Sequence, residues 1–513
     1  MPNTACILSI DQGTTGTTTL LVDVRGNIVA KGYREFRQYY PRPGWVEHDP
    51  AEIWDATLQA IDALFEDKIP NIVALGIANQ RETTLIWNRQ TGKPIYPAIV
   101  WQCRRTAEMC DTLAKQGISE ELKKKTGLVL DAYFSATKIA WILDNVSGAR
   151  AQAERGELAF GTVDTWLLWK LTDGAVHKTD YTNASRTLLF NINTLSWDET
   201  LLEIFNVPKT ILPEVFPSAN NFGTASFYRN FWLETFGKNI GLDGVPIAGI
   251  AGDQQAALFG QLCTRPGMAK NTYGTGCFLM LNTGDEKVET DSGLLTTLAC
   301  SLDENPVYAL EGSVFVAGAA VQWLRDGIQI IGNASETEAI ASGIPDTGGV
   351  FVVPAFTGLG APYWDAEARG AILGLTRGST RAHIIRATLE SIAYQSADVV
   401  TAMVADAGMT MDRLRVDGGA TANDFLMQFQ ADILGIDVER PAQIESTGLG
   451  AAHLAGITIG FWSDVEELEA HRSPPTTSAD DVSMTCVFSP QIDTDERNRK
   501  LEQWKRAVAR VIG

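Results

Sequence analysis

An apolar run from Ala5 to Ile10 stops at Asp11 and turns through Gln12-Gly13-Thr14-Thr15-Gly16-Thr17; apolar character returns over Leu20 to Val24. This is the pattern of strand, turn and strand, and Arg25-Gly26-Asn27 then marks a hairpin turn into a third strand, Ile28 to Gly32. Small residues in the first turn let backbone N–H groups converge on one anionic oxygen, and threonine hydroxyls add donors. Asp11, at a strand end, is placed to hold a Mg²⁺-bound water near phosphates. A plain hairpin needs the same residues, so this turn alone leaves function open.

Two common nucleotide-binding plans do not fit. A P-loop needs Gly-Lys-Ser/Thr opening a helix, but the Gly-Lys pairs here are followed by Pro94 and Asn239. A Rossmann loop also opens a helix, whereas this turn opens a strand. What remains is the actin-like ATPase plan, in which two strand-turn-strand units clasp the phosphates. The second unit is Asn271-Thr272-Tyr273-Gly274-Thr275-Gly276. A third turn, Asp417-Gly418-Gly419-Ala420-Thr421-Ala422-Asn423, follows a strand and opens a helix, as an adenosine-side loop would; Asn423 also suits a simple N-cap.

A chain of 513 residues exceeds one ordinary core, and the pattern predicts α/β architecture in two similar halves. Helices are expected over Ala51–Phe65, Gln255–Leu262, Thr380–Ala407 and Asp424–Leu434, and strands over Ile72–Ile77, Val245–Ile250 and Leu414–Asp417. The expected fold is two actin-like (ribonuclease H-like) ATPase domains, residues 1–250 and 251–513, with a catalytic cleft between them. The N-terminal half carries the polyol pocket and first phosphate loop, and the C-terminal half the catalytic Asp and nucleotide site. A formal net charge of -20 disfavours nucleic acid and anionic membranes as partners. No secretory or membrane-spanning pattern is present, and the seven scattered cysteines fit buried thiols in a reducing cytoplasm.

Arg81 and Glu82 follow the strand over Ile72–Ile77, and with Trp101, Tyr133, Asp253 and Gln254 they form a plausible polyol pocket. Carboxylates accept from hydroxyls, Arg and Gln donate to the same oxygens, and aromatic rings pack C–H faces. Each residue alone has a dull reading as an ion pair, a core ring or a helix cap. Phosphoryl transfer asks for alignment, charge neutralisation and a base, a role suited to Asp253.

The segments Gly44-Trp45-Val46-Glu47-His48-Asp49-Pro50, Asn79-Gln80-Arg81-Glu82-Thr83, Trp101-Gln102-Cys103-Arg104-Arg105, Gly252-Asp253-Gln254-Gln255 and Asn271–Phe278 closely resemble bacterial glycerol kinases, within the FGGY carbohydrate kinase family. The likeness runs from Ile7 to the C-terminal helix. It implies ATP-dependent phosphorylation of glycerol to sn-glycerol 3-phosphate, with Mg²⁺, in a cytoplasmic dimer or tetramer. It implies that Arg81, Glu82, Tyr133, Asp253 and Gln254 hold glycerol's hydroxyls, with Trp101 and Phe278 against its carbons. Asp253 is then the base, Asp11 and Asp253 serve the metal, and Thr14, Thr15, Gly16, Thr275, Gly318, Gln322, Gly419 and Asn423 serve the nucleotide.

Two departures stand out. The family commonly has Arg where this chain has Thr18, near the end of the first phosphate loop. The stretch from Gly223 to Gly244 lacks the Gly-Gly-Lys-Gly-Gly-Thr-Arg loop of relatives that respond to fructose 1,6-bisphosphate, and carries Phe227, Phe231, Trp232 and Phe236 instead. Those rings fit a buried helix face, against either their own domain or a neighbouring subunit. An FGGY kinase for another polyol or sugar, or a weakly active nucleotide-binding regulator, remains an alternative.

Overall fold

Six strands of six to nine residues make the first sheet, β1 (Ala5–Gln12), β2 (Gly16–Val22), β3 (Ile28–Glu35), β4 (Asn71–Asn79), β5 (Ala219–Thr224) and β6 (Pro246–Gly252), and the chain is mostly buried in β1, β2, β4 and β6. The computed structural model describes residues 5–65, 71–227, 231–238, 240–365, 367–471 and 485–512. The sheet order is β5-β6-β4-β1-β2-β3. β1 and β2 form the expected antiparallel hairpin, and β1, β4 and β6 run parallel, so that Asp11 aligns with Ala78 and Ala78 with Ala251. Three strands therefore deliver their next residues to one edge.

Helix α1 (Pro50–Asp62) begins at the cap Asp49, whose side chain accepts from Ala51 N, and lies on β2 and β3. The approach is close: a Cβ on Gly32 would lie 2.1 Å from the Ala60 carbonyl oxygen. α2 (Tyr181–Ala184) is a single buried turn capped by Asp180. α3 (Phe231–Phe236) carries the aromatic stretch. Trp232 is buried and stacks on Phe236, and Phe227 stacks on Phe231, all against the apolar core of the first sheet. The rings thus pack within their own chain. Arg229 lies outside the described residues. α4 (Asp253–Gly260) follows β6 without a loop.

A second sheet repeats the plan with β7 (Ala269–Tyr273), β8 (Cys277–Gly284), β9 (Tyr308–Val314), β10 (Arg413–Asp417), β11 (Asp437–Arg440) and β12 (Cys486–Phe488). Here too a hairpin, β7–β8, places its first strand parallel to a later one, β10. These six are consecutive neighbours in a seven-stranded sheet, in the order β9-β8-β7-β10-β11-β12. Its helices include α5 (Gly318–Gln322), α6 (Arg381–Ala407) and α7 (Asp424–Leu434). α6 starts in a Thr380–His383 capping box and ends at Gly408 with φ +60°. The expected ends of α6 and α7 are those observed, to within one residue.

The division of the chain differs from two consecutive halves. One compact unit comprises Met1–Leu262, Thr296–Tyr308 and Ser446–Arg472, the other Cys263–Leu295, Ala309–Glu445 and Ser473–Gly513. A cut at residue 250 therefore separates α4 and α8 (Ser446–Thr458) from the sheet they cover. Small residues decide this. Added Cβ atoms on Gly76 and Gly249 would lie 2.1 Å from Ala451 O and 2.7 Å from Ala455 N of α8, and one on Gly450 would lie 1.9 Å from Ala256 O of α4. Only glycine permits backbones this close, and the reach of a helix two hundred residues away leaves little trace in local periodicity.

Asp164, fully buried, accepts from the hydroxyls of Thr162 and Thr179 and from Asn79 at the end of β4. Burial outweighs these donors and pushes its carboxyl up to about 6. A value above the ordinary 3.8 means that the folded state holds this proton more tightly than the unfolded chain. Its contribution to stability is therefore complete below about pH 4 and lost as pH rises through 6. Chemical unfolding of the wild type and Asp164→Asn across pH 4 to 7 should show the wild type losing on the order of 3 kcal/mol relative to the variant. A constant difference across that range would contradict a protonated Asp164.

Candidate functional site

Arg81 and Glu82 leave the end of β4 into a backbone that L-residues rarely adopt: Glu82 has φ +59°. Three donors hold its carbonyl, Thr84 Oγ1 at 3.1 Å, Ser135 Oγ at 3.1 Å and Lys138 Nζ at 3.4 Å. Such strain persists where surroundings over-determine it. The Glu82 carboxylate meets Arg186 Nε at 2.6 Å, and both side chains are buried. Arg186 lies under the ring of Tyr133, with 5.7 Å from Cζ to the centroid. Lys138, wholly buried, also donates to the Tyr133 carbonyl, and desolvation pulls its ammonium down to about 8.

Asp253 begins α4 immediately after β6. Its carboxylate lies 3.2 Å from Arg81 Nε and accepts from Gln254 N at 2.7 Å, while Arg81 Nη1 donates to Gln255 at 3.2 Å. Gly252 has to be small: an added Cβ would lie 2.7 Å from Arg81 Cγ and Cδ. Arg81 and Glu82 are buried, and Asp253 keeps 28 % of its side chain exposed. The result is a buried, charge-balanced floor with one accessible carboxylate. Trp101 stands beside Tyr133, with 5.5 Å between ring centroids, and its indole N–H donates to Thr14 Oγ1 at 2.9 Å. That bond ties the residues expected to hold the polyol to the Gly13–Gly16 turn.

The loop itself is pinned through its carbonyls. Gln12 and Gln80 amides donate to Gly13 O at 2.7 and 3.2 Å, Gln38 donates to Thr14 O at 2.9 Å, and Phe36 N donates to Thr15 O at 3.3 Å. In a trans peptide the next N–H points opposite to its carbonyl. The N–H groups of Thr14, Thr15 and Gly16 therefore project away from the protein side, as an anion nest requires. His48 holds both amides: Nε2 lies 2.5 Å from Gln38 Oε1, and Nδ1 lies 3.4 Å from Gln80 Nε2. Desolvation brings its pKa down to about 4, so near neutral pH the ring is uncharged, and the network assigns its proton to Nε2. Thr18 pairs with Asp11 across the β1–β2 ladder, where an Arg would sit beside that carboxylate.

The second unit holds a cavity of about 480 Å³, an ordinary size for a small ligand. Thr275, Gly318, Gln322, Gly419 and Asn423 all line it. Here too the turn carbonyls are held from behind: Gly318 N donates to Gly274 O at 3.0 Å and Ala317 N to Thr275 O at 2.9 Å. Gly418 has φ +91°, and a Cβ there would lie 2.4 Å from Tyr273 O. Asn423 is both cap and cross-link, accepting from Leu426 N and donating to Thr337.

The first unit thus contains Asp11, Thr14, Thr15, Gly16, Arg81, Glu82, Trp101, Tyr133, Asp253 and Gln254, and the second contains Thr275, Gly318, Gln322, Gly419 and Asn423, the other residues expected to serve the nucleotide. Phe278 belongs to the second unit, at the start of β8 opposite Thr272. Among the described residues no group of three or more His, Cys, Asp or Glu side chains is arranged to hold a metal ion, and no helix is long and apolar enough to cross a membrane. All seven cysteines are buried thiols. Sequence reasoning missed Lys138, Arg186 and the buried run from Asp180 to Arg186. The available signal was the density of small polar residues between two charges, which resembles a surface loop. A separate open groove of about 860 Å³, lined by Tyr39, Trp54, Tyr96 and Trp166, contains none of the expected site residues.

Comparison with known proteins gives a consistent picture. The FGGY family of carbohydrate kinases is matched by its N-terminal domain over residues 6–260 and by its C-terminal domain over residues 269–459. The chain is 56% identical over 510 residues to glycerol kinase 2 of Thermotoga maritima, covering 99% of each. It is 57% identical over 508 residues to glycerol kinase of Petrotoga mobilis, covering 98% of each. A crystal structure of Plasmodium falciparum glycerol kinase with ADP has a TM-score of 0.91 at 38% identity, covering 99% of this chain and 98% of that one. A xylulose kinase from Lactobacillus acidophilus, at 21% identity over 98% of this chain and 96% of its own, shares the fold with a TM-score of 0.83.

Two adjacent glycines test the cavity. Nothing lies within 4 Å of a Cβ added to Gly419, so Gly419→Ala should leave the melting temperature unchanged and raise the KM for ATP several-fold by projecting into bound nucleotide. Gly418→Ala, strained at positive φ, should cost about 1–3 kcal/mol of stability. An unchanged KM for ATP in Gly419→Ala would remove Gly419 from the nucleotide site.

Proposed function

The chain belongs to the FGGY family of carbohydrate kinases, and from that premise we propose that it is a glycerol kinase, transferring the γ-phosphoryl group of ATP to glycerol. The observation that carries the reading is the pairing of Arg81 with Asp253 beside a buried Glu82–Arg186 pair. A three-carbon polyol offers hydroxyls to each of these charges, and the rings of Trp101 and Tyr133 give its carbons an apolar wall. Identity of 55% and above over nearly the full length to proteins named glycerol kinase supports this choice over a xylulose substrate. The proposed product is sn-glycerol 3-phosphate, formed in a soluble, cytoplasmic homo-oligomer.

In the proposed mechanism Arg81 and Glu82 fix two hydroxyls and leave the third beside Asp253. Asp253 accepts that hydroxyl's proton as its oxygen forms a bond to the γ-phosphorus and the bond from phosphorus to the β–γ bridging oxygen breaks, releasing ADP. The outward N–H groups of Thr14, Thr15 and Gly16 stabilise the charge on the transferring group. Asp11 lies near the end of β1 and Asp253 directly after β6, with β4 between the two strands. Two separated oxygen donors fit Mg²⁺ held jointly with water and phosphate oxygens, whose positive charge would neutralise the phosphates.

Asp253→Asn should fold and bind glycerol by calorimetry while its kcat falls about 10²–10⁴-fold. Near-normal kcat would remove Asp253 from the base role. The same assay run over a panel of polyols and sugars separates glycerol from other FGGY substrates.

A further inference from the structure

Asp180 is completely buried and spends its whole accepting capacity on its neighbours. Oδ1 accepts from Asn183 N at 2.9 Å and Asn183 Nδ2 at 2.9 Å; Oδ2 accepts from Thr182 N at 3.0 Å, Thr182 Oγ1 at 2.7 Å and Ser218 Oγ at 2.7 Å. A hydroxyl has one proton. With that proton directed to Asp180, the Thr182 oxygen has only lone pairs to offer elsewhere. One of them takes the N–H of Gly252 at 2.8 Å.

Gly252 is the last residue of β6, directly before Asp253. It is confined on its other side too, since Arg81 Cγ and Cδ occupy the place of a Cβ. Gly252, from which the chain continues into Asp253, is thus held at its N–H and crowded at its Cα. The neighbouring residue Asn183 exchanges hydrogen bonds with Asn79, at 2.9 and 3.1 Å, at the end of β4 just before Arg81 and Glu82. A single buried turn thereby reaches both strand ends that carry the pocket.

We propose that Asp180 and Thr182 are positioning residues for Asp253: the carboxylate polarises and aims the Thr182 hydroxyl, which fixes the Gly252 amide and so the direction in which the Asp253 carboxylate faces its substrate. This rests on Asp253 acting as the base. Asn at position 180 places an NH₂ group among donors and breaks the network on whichever side it faces: toward Thr182 it turns the hydroxyl and releases Gly252, toward Asn183 it leaves that residue's donors unmet.

The test is steady-state kinetics of Thr182→Val, Thr182→Ser, Asp180→Asn and Asp253→Asn with glycerol and MgATP. Thr182→Val should lower kcat about tenfold, with both KM values within threefold of wild type, and Thr182→Ser should recover kcat to within twofold. Asp180→Asn combined with Thr182→Val should be no worse than the poorer single variant, because both cut the same chain of hydrogen bonds. If Thr182→Val does not fold, Thr182→Ala removes the same oxygen and is read in the same way. An unchanged kcat in the Val or Ala variant overturns the proposal. So does a loss in Val and Ser alike that tracks the fall in melting temperature, since that is a purely structural role. Asp253→Asn separates the two readings: if it is crippled while Thr182→Val is normal, positioning fails and the base stands; if it keeps near-normal kcat, the base assignment fails.

Discussion

The parallel register of β1, β4 and β6 is the constraint on which the first unit's site depends. Because Asp11, Ala78 and Ala251 stand side by side, the residues that follow emerge at one sheet edge: the phosphate loop, Arg81-Glu82 and Asp253. Carboxyl ends of parallel strands are where α/β folds gather ligands. A one-residue slip of β4 would turn the side chains of its whole length to the opposite face. Register is guarded by glycine: α8 sits so close over Gly76 and Gly249 that neither can shift or gain a side chain.

Burying so many charges at that edge is costly unless each is met. Glu82 is met by Arg186, Arg81 by Asp253, and Asp164 and Asp180 by hydroxyls and amides. Removing one partner of such a pair typically costs about 3–5 kcal/mol, because the other charge stays behind uncompensated. The arrangement therefore favours orientation over stability. Under the proposed function, hydroxyls of a bound polyol would encounter acceptors and donors already aimed, with little reorganisation left for the reacting state. The phosphate loop follows the same logic, with His48 and two glutamines holding carbonyls so that N–H groups face outward.

Much of this was legible in the sequence. The glycine and threonine turns, the Arg81-Glu82 pair and Asp253 declare themselves through local chemistry, and α6 and α7 through periodicity and their caps. The partition of the chain did not, because α8 joins the first unit through small-residue contacts distant in sequence, and its uniformly apolar surface shows no face. Arg186, Lys138 and the run from Asp180 to Ser185 were equally hidden. Polar residues at such density look like a solvated loop until the structure shows every one of them buried. The aromatic stretch around Trp232 left two packings open, and contacts with Phe227, Phe236 and the first sheet's core decide for its own chain.

The central claim is that one cluster of charges in the first unit holds the polyol. A crystal structure of the protein with glycerol tests it most directly. Glycerol hydroxyls are expected within hydrogen-bond distance, about 2.6–3.2 Å, of Arg81, Glu82 and Asp253, with its carbons against Trp101. Glycerol bound only elsewhere, for instance in the open groove lined by Tyr39 and Trp54, with the Arg81–Asp253 pair untouched, would contradict it.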